Sequence, residues 1–406
     1  MAESPPINEH TEFFQDLTLS SAFQPIISIA HRRAVGFEGL LRAKDHNDND
    51  YPPLTVLQLP ANTAEHLELD RLCRQLHANN FSKQNNADKW LFLNLNTQCL
   101  VMEKPDIGFM QILFEKTGLQ ANQIVIEILE SEIDDRDYLL KIIAHFRQLG
   151  CLIAIDDFGA GHSNFDRIWE LQPDIVKIDR SLIKRAAQSA KVERMLSGII
   201  SLIHEAGSLV IIEGIETEKE ALVAVTSQAD MLQGFYFAMP KASISDNSNF
   251  SLQIDHVLEQ QHQVKAHDEQ KLQSWFEEIK RVFETELFLF CQHGSFDECG
   301  KELFMDERAV RCNLLDEKGY QIGASRHSPH YKANLDLRFV PVLSGTDSNW
   351  SHRHYHLRAI QTPDVTQITR PYLSVTGSHM CVTLSQAVVI GDTTYVVCCD
   401  LDWLDE

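Results

Sequence analysis

No stretch of the chain approaches the roughly 18 consecutive apolar residues that a membrane-spanning helix requires. The opening MAESPPINEH also lacks the basic-then-apolar order of a secretory leader. The expectation is a cytoplasmic chain without a membrane partner. Cysteine pairs spaced C-x-x-C are absent too, and the cysteines number nine. An odd count without such pairs argues against a disulfide framework or zinc cage and for inert thiols in a reducing compartment. Basic residues are in the minority: 36 Lys and Arg against 58 Asp and Glu give a formal charge of −22. Long-range attraction to nucleic acid or anionic lipid is thereby disfavoured, so no nucleic-acid partner is expected. A polyanionic ligand would need a local cationic site or metal ions.

What is present fits a folded protein of more than one domain. The 406 residues are 44% hydrophobic and 23% charged, enough apolar surface for a barrel and a smaller module. Up to about residue 245, short β-branched runs end in a polar residue and are followed by helix-like stretches. The runs are Phe23–Ile29, Ala34–Leu41, Trp90–Leu95, Ile124–Ile128, Leu152–Asp156, Ile175–Ile178, Ser208–Ile212 and Met231–Phe235. From Asn94 onward their polar ends recur every 20 to 36 residues, the spacing of strand-plus-helix units. Polar residues close nearly every strand, which favours a (β/α)8 TIM-like barrel over a doubly wound sheet with one switch point. Residues 246–282 read as a connecting helical linker. Residues 283–406 read as a smaller α+β domain, with Leu287–Cys291, Val310–Asp316, Ala359–Thr362, Met380–Val389 and Thr394–Asp400 strand-like and turns at DEKG and IGDT.

The strand ends supply Glu38, Asn94, Glu127, Asp156, Asp157, Lys177, Glu213, Glu216 and Gln233. In a parallel barrel they would share one rim. So many carboxylates at one mouth repel, since two unit charges near 4 Å cost about 4 kcal/mol at an effective dielectric of 20. Oxygen donors without a His pair or Cys suit hard cations such as Mg²⁺ or Mn²⁺. Two such ions about 3.5–4 Å apart are the usual apparatus for phosphodiester hydrolysis. Any one of these acids could instead cap a helix, and Lys177 could extend to solvent. The group as a whole points to a metal-dependent phosphoryl hydrolase.

The motifs then become specific: FQPI (Phe23–Ile26), EGLLR (Glu38–Arg42), NLN (Asn94–Asn96), EILE (Glu127–Glu130), DDFGAGHSN (Asp156–Asn164), KID (Lys177–Asp179), EGIE (Glu213–Glu216) and QGF (Gln233–Phe235), in this order. Over roughly residues 14–243 the chain resembles the EAL-domain family of cyclic di-GMP phosphodiesterases. The resemblance implies a barrel enzyme that opens one phosphodiester of cyclic di-GMP to linear pGpG with Mg²⁺ or Mn²⁺, two ions per site, and that forms a homodimer through this domain. It implies Glu38, Asn94, Glu127, Asp156 and Asp157 as metal ligands. Gln24, Glu38, Leu41, Arg42, Asn94, Asp157 and Gln233 become substrate contacts. Lys177 resembles the water-orienting lysine, Glu213 the acidic residue beside the aspartate pair, and Glu130 the anchor of the loop after Asp157. An arginine fork such as Arg42 suits phosphate.

The chain departs from the family pattern in three places. Gly39 stands for the signature's central alanine, Leu129 for a threonine, and GHSN with His162 and Asn164 for a loop that commonly carries tyrosine and two serines. These departures motivate the alternative of a catalytically silent cyclic di-GMP receptor. On the segments RPYLSV (Arg370–Val375), VTLSQAV (Val382–Val388) and VVCCDLDW (Val396–Trp403), the C-terminal domain is similar to PAS-like or Cache-like sensory modules and is expected to take a small-molecule or protein ligand, with Arg370, Tyr372 and Asp400 lining its pocket. His352, His354 and His356 alternate as if along an exposed strand face.

Overall fold

The protein is described by a computed structural model that covers residues 10–84, 87–96, 107–129, 136–161, 165–244, 249–296, 299–330, 348–374 and 380–403. It forms two compact units, Met1–Val264 and Lys265–Glu406.

In the first unit eight strands close a ring: β1 (Leu17–Ser28), β2 (Arg33–Lys44), β3 (Trp90–Leu95), β4 (Ile124–Leu129), β5 (Leu152–Phe158), β6 (Ile175–Ile178), β7 (Leu209–Ile212) and β8 (Met231–Leu232). The expected TIM-like barrel is there, with one correction. From β2 to β8 neighbouring strands run parallel. β1 instead runs antiparallel to both β2 and β8. The barrel therefore opens on a hairpin, in which the few residues between Ser28 and Arg33 cannot accommodate the crossover that parallel strands need. The joint between β1 and β8 is short: Met231 faces Ser28 and Leu232 faces Ile27. An Ile29 N–H to Asp230 bond and a paired exchange between Phe23 and Lys241 flank it.

Strand periodicity places the site. Side chains alternate between faces, and the inward residues form a floor of Ile26, Phe92, Val125, Ala154, Ile175, Ile211 and Met231. Two residues further along each parallel strand, or just past its end, the next inward position is polar: Asn94, Glu127, Asp156, Lys177, Glu213 and Gln233. In β1 the order is reversed, Gln24 before Ile26, because the strand runs the other way. Gly36 keeps the floor closed, since a Cβ there would come within 2.8 Å of the Phe92 ring. The outward residues pack against the surrounding helices in a second cluster that includes Leu91, Ile126, Ile153, Val176 and Val210.

Beyond Glu38, β2 leaves β3 and continues with β1 as a ribbon. Leu17, Leu19 and Leu41 back this ribbon onto Leu69 and Leu76 of the helix Thr63–Ser82. Asn62 caps that helix by accepting the Glu65 N–H.

In the second unit the antiparallel strands β9 (Ala309–Asp316), β10 (Arg326–His327), β11 (Gln367–Ile368), β12 (Tyr372–Leu373), β13 (Met380–Ile390) and β14 (Thr393–Asp402) form one sheet. Its order is β10-β9-β14-β13-β11, with β12 also on β13. The IGDT turn closes β13 onto β14 with Gly391 at φ +63°.

Four expectations are corrected here. The helix Ser251–His293 runs 43 residues, past the expected linker end at 282 and through Leu287–Cys291. Ile279, Phe283, Leu287 and Phe290 are buried while Phe288 and Leu289 are exposed, the spacing of a helix face rather than a strand. Ala359 belongs to the helix His354–Gln361 instead of a strand. His354 and His356 are in that same helix, with His356 buried and His354 exposed, so the three histidines do not share a strand face. The boundary between residues 245 and 246 lies outside the described residues.

Candidate active site

The mouth of the barrel gathers Glu38, Asn94, Glu127, Asp156, Lys177, Glu213, Gln233 and Gln24 in one polar layer. Lys177 is its centre and is fully buried. Its Nζ lies 2.5 Å from Glu127 Oε1, 2.5 Å from Glu213 Oε1, 3.1 Å from Asp156 Oδ1 and 3.5 Å from Glu38 Oε2. Burial works against its charge, but the four carboxylates outweigh burial and raise its pKa well above an ordinary lysine's. Glu38 is steered from both sides: Asn94 Nδ2 donates to Oε1 at 3.2 Å and Gln233 Nε2 to Oε2 at 2.7 Å. Gln233 also donates to Gln24 Oε1 at 3.3 Å, and Gln24 Nε2 donates to the Ala238 carbonyl at 3.4 Å.

One lysine does not neutralise four carboxylates. Burial, followed by repulsion from its acidic neighbours, pushes the Glu127 pKa well above the usual range, and the same holds for Glu213. Glu127, Asp156 and Glu213 each present an oxygen within 4.8 Å of the others. Glu127 Oε2 is buried without a hydrogen-bond partner among the described residues. An orphan carboxylate oxygen in an all-oxygen donor set fits a hard divalent cation.

Asp156 and Asp157 are neighbours in sequence and would ordinarily face opposite ways. A β-bulge between Ile155 and Phe158 interrupts that alternation. Asp157 takes φ +57°, a left-handed conformation that Asp tolerates better than most residues, and its N–H donates to Asp156 Oδ1. Burial, with Asp156 and Asp179 nearby, pushes the Asp157 carboxyl up to about 6.

Arg42 lies four residues beyond Glu38, on the same face of the ribbon as Leu40, and donates to the Leu41 carbonyl. Leu41 itself is buried toward the helix Thr63–Ser82. A cavity of about 290 Å³ beside the carboxylates is lined by Leu40, Leu41, His77, Asn94, Asn96 and Leu129. Leu129 thus contributes apolar wall where the family carries a hydroxyl. Glu216 is not part of the layer; it is exposed and paired with Lys184 at 2.9 Å. Glu130, His162 and Asn164 lie outside the described residues.

Two contributors escaped the sequence reading. Asp70 and Arg74 form a buried ion pair at 2.5 Å on one helix face, and Asp70 Oδ1 accepts the Asn96 N–H, fixing the chain just past Asn94. The only signal is the acid and base four residues apart on an apolar helix face. The other is His77, whose Nδ1 shares a hydrogen with Ser21 Oγ at 2.9 Å.

His77 accounts for Gly39. A Cβ on residue 39 would stand 2.9 Å from His77 Cγ and 3.0 Å from its Cβ. Gly39→Ala is expected to cost about 1–3 kcal/mol by overpacking. The double variant with His77→Ala should lose less than the sum of the two single changes, measured as coupling in urea unfolding. Burial, with the Arg42 charge second, also pushes His77 down to about 4. Between pH 6.5 and 4 the unfolded chain then binds a proton here that the folded chain refuses. Stability is therefore full above pH 6.5 and declines as pH falls, by about 3 kcal/mol over the whole window. Urea midpoints of the wild type should show this decline against His77→Gln, in which this contribution is absent.

A family model described as EAL domain matches residues 8–240, more than half of the chain. The chain belongs to the EAL-domain family. YkuI of Bacillus subtilis, an EAL-domain protein, is 26% identical over 351 residues, 83% of each chain. The cyclic di-GMP phosphodiesterase PdeF of Escherichia coli is 27% identical over 240 residues, which are 58% of this chain and 31% of PdeF. The crystal structure of YkuI with cyclic di-GMP and calcium matches with TM-score 0.76 over 96% of this chain and 97% of that one; at 22% identity the likeness concerns the fold. BlrP1 of Klebsiella pneumoniae, in a manganese and cyclic di-GMP complex, matches with TM-score 0.51 at 25% identity over 55% of this EAL chain and 56% of that one.

Proposed function

We propose that the barrel hydrolyses one phosphodiester of cyclic di-GMP to linear pGpG, using two Mg²⁺ or Mn²⁺ ions held by Glu38, Asn94, Glu127, Asp156 and Asp157. The observation that carries this reading is the complete polar layer around Lys177 with its orphan Glu127 oxygen. The names of PdeF and of the manganese complex of BlrP1 support it. Bound cations would polarise a phosphoryl oxygen and furnish a nucleophile at neutral pH.

The chain's own groups do the rest. Lys177 keeps its proton against burial and so directs a fixed positive charge at oxygens where negative charge develops. Gln233 and Asn94 hold the Glu38 carboxylate in one orientation. Glu213 is the more open of the two acids closest to Lys177, its side chain 19% exposed against 0% for Glu127, which suits contact with a water at the mouth. Arg42 is partly exposed, and its guanidinium fork is a group suited to receive a phosphate. Homodimerisation through this domain, and tuning of turnover by the second unit, belong to the same proposal.

The test is chromatography of cyclic di-GMP incubated with the purified chain and Mg²⁺ or Mn²⁺. Linear pGpG should accumulate, vanish with chelator and be absent for Glu38→Ala. Tight binding without product in either metal would replace hydrolysis by the silent-receptor reading, and failure to bind either metal or dinucleotide would end both.

A further inference from the structure

In a chain of formal charge −22, three arginines gathered at one cavity ask for a reason. Arg353, Arg358 and Arg370 line one cavity of about 430 Å³ in the second unit, between the helix His354–Gln361 and the approach to β12. None of the three has a carboxylate or hydrogen-bond partner for its side chain among the described residues, and no Asp or Glu lines the cavity. Three like charges facing one space repel unless an anion sits among them. The volume falls in the range of small-molecule sites.

The rest of the wall is firm and partly apolar. Tyr372 stacks near Tyr355, ring centroids 6.4 Å apart at 29°, and the Arg353 guanidinium lies 5.8 Å from the Tyr372 ring centroid. Behind the wall a hydrogen-bond chain pins the ring: the Tyr372 hydroxyl meets Thr383 Oγ1 at 2.6 Å, Thr383 donates to Asp400 Oδ1 at 2.7 Å, and Arg311 Nε donates to Asp400 Oδ2 at 2.6 Å. This corrects the expectation that Asp400 lines the pocket. Buried and neutralised by Arg311, it supports Tyr372 from behind, and no acidic side chain lines the cavity among the described residues. The first turn of the helix borders the same space and adds its positive end.

We propose that this cavity is a binding site for a small multivalent oxyanion, carrying carboxylate or phosphate groups, gripped by Arg353, Arg358 and Arg370 against the Tyr372 ring. Guanidinium forks pair with either group through two parallel hydrogen bonds.

The experiment is titration calorimetry on the full chain, free of added metal and at 150 mM salt, with citrate in one arm and inorganic phosphate in the other. Saturable one-site binding in either arm supports the site, and the stronger arm names the chemistry. Arg358→Gln and Arg370→Gln, both at exposed positions, should each weaken it about tenfold. The double variant should bind nothing. Circular dichroism of each variant should match the wild type, and Arg358→Lys should fall between wild type and Arg358→Gln because charge survives and the fork does not. Absence of saturable heat in both arms, or unchanged affinity in the folded double variant, would overturn the proposal.

Discussion

Lys177→Met is expected to lower the proposed turnover by about 10²–10³-fold and to make the fold depend on divalent cations. The wild-type ammonium lies within 3.5 Å of Glu38, Glu127, Asp156 and Glu213. Removing the one cation that the described residues bring to this buried ionic group leaves uncompensated charge, at a cost of about 3–5 kcal/mol. Methionine fills much the same volume, so the loss comes from charge rather than from a cavity. Urea unfolding at pH 7 with chelator should place the variant well below wild type. Millimolar Mn²⁺ should restore much of the difference, because ligands that bind only the folded chain stabilise it by mass action. Turnover should remain down by about 10²–10³-fold even then, since a preoriented positive group facing developing charge contributes that much. A variant as stable as wild type in chelator, or one that still produces pGpG at the wild-type rate, would contradict this account of Lys177.

Gly234→Ala is expected to fail more completely. A Cβ at 234 would come within 2.1 Å of the Ile215 carbonyl oxygen and 2.3 Å of its nitrogen, both backbone atoms with no rotamer to escape into. The two chains must separate, and their bonds go with them: Ile215 N–H to the Gln233 carbonyl and Tyr236 N–H to the Ile215 carbonyl. The cost should exceed about 3 kcal/mol, at the severe end for overpacking. Gln233, one residue earlier, would then lose its grip on Glu38. Thermal melts should show the drop, or the protein should not accumulate folded. Gly198→Ala is the control. It sits in the helix Ala190–Glu205 with open space around it and should be neutral or stabilising by up to about 1 kcal/mol. Equal behaviour of the two variants would refute the crowding argument.

The glycine of QGF was visible in the sequence; the backbone it must clear was not, because Ile215 reaches it only through the barrel. The same division runs through the molecule. Barrel strands were readable because each carries an apolar residue and, two positions on, a polar one, which is the inward face of a strand seen from the sequence. Even the reversed β1 left a trace in FQPI, where Gln24 precedes Ile26. What the sequence could not reveal were contacts across long separations: His77 against Gly39, or Asp70 reaching Asn96. In the second unit, Leu287–Cys291 looked like a strand because a short apolar run carries no period of its own. Extending the window back to Ile279 and Phe283 exposes the helical spacing.

The ring-closing joint ties the site's existence to the longest-range pairing between two barrel strands. Ile27 and Ser28 meet Met231 and Leu232 across some two hundred residues of sequence, so this pairing forms only after the intervening units have been brought into place. Gln24 and Gln233 sit on its two sides and bond to each other. An incomplete or newly synthesised barrel therefore holds its acids with only the Asn94 half of the amide clamp on Glu38, and the Gln233 half arrives together with closure.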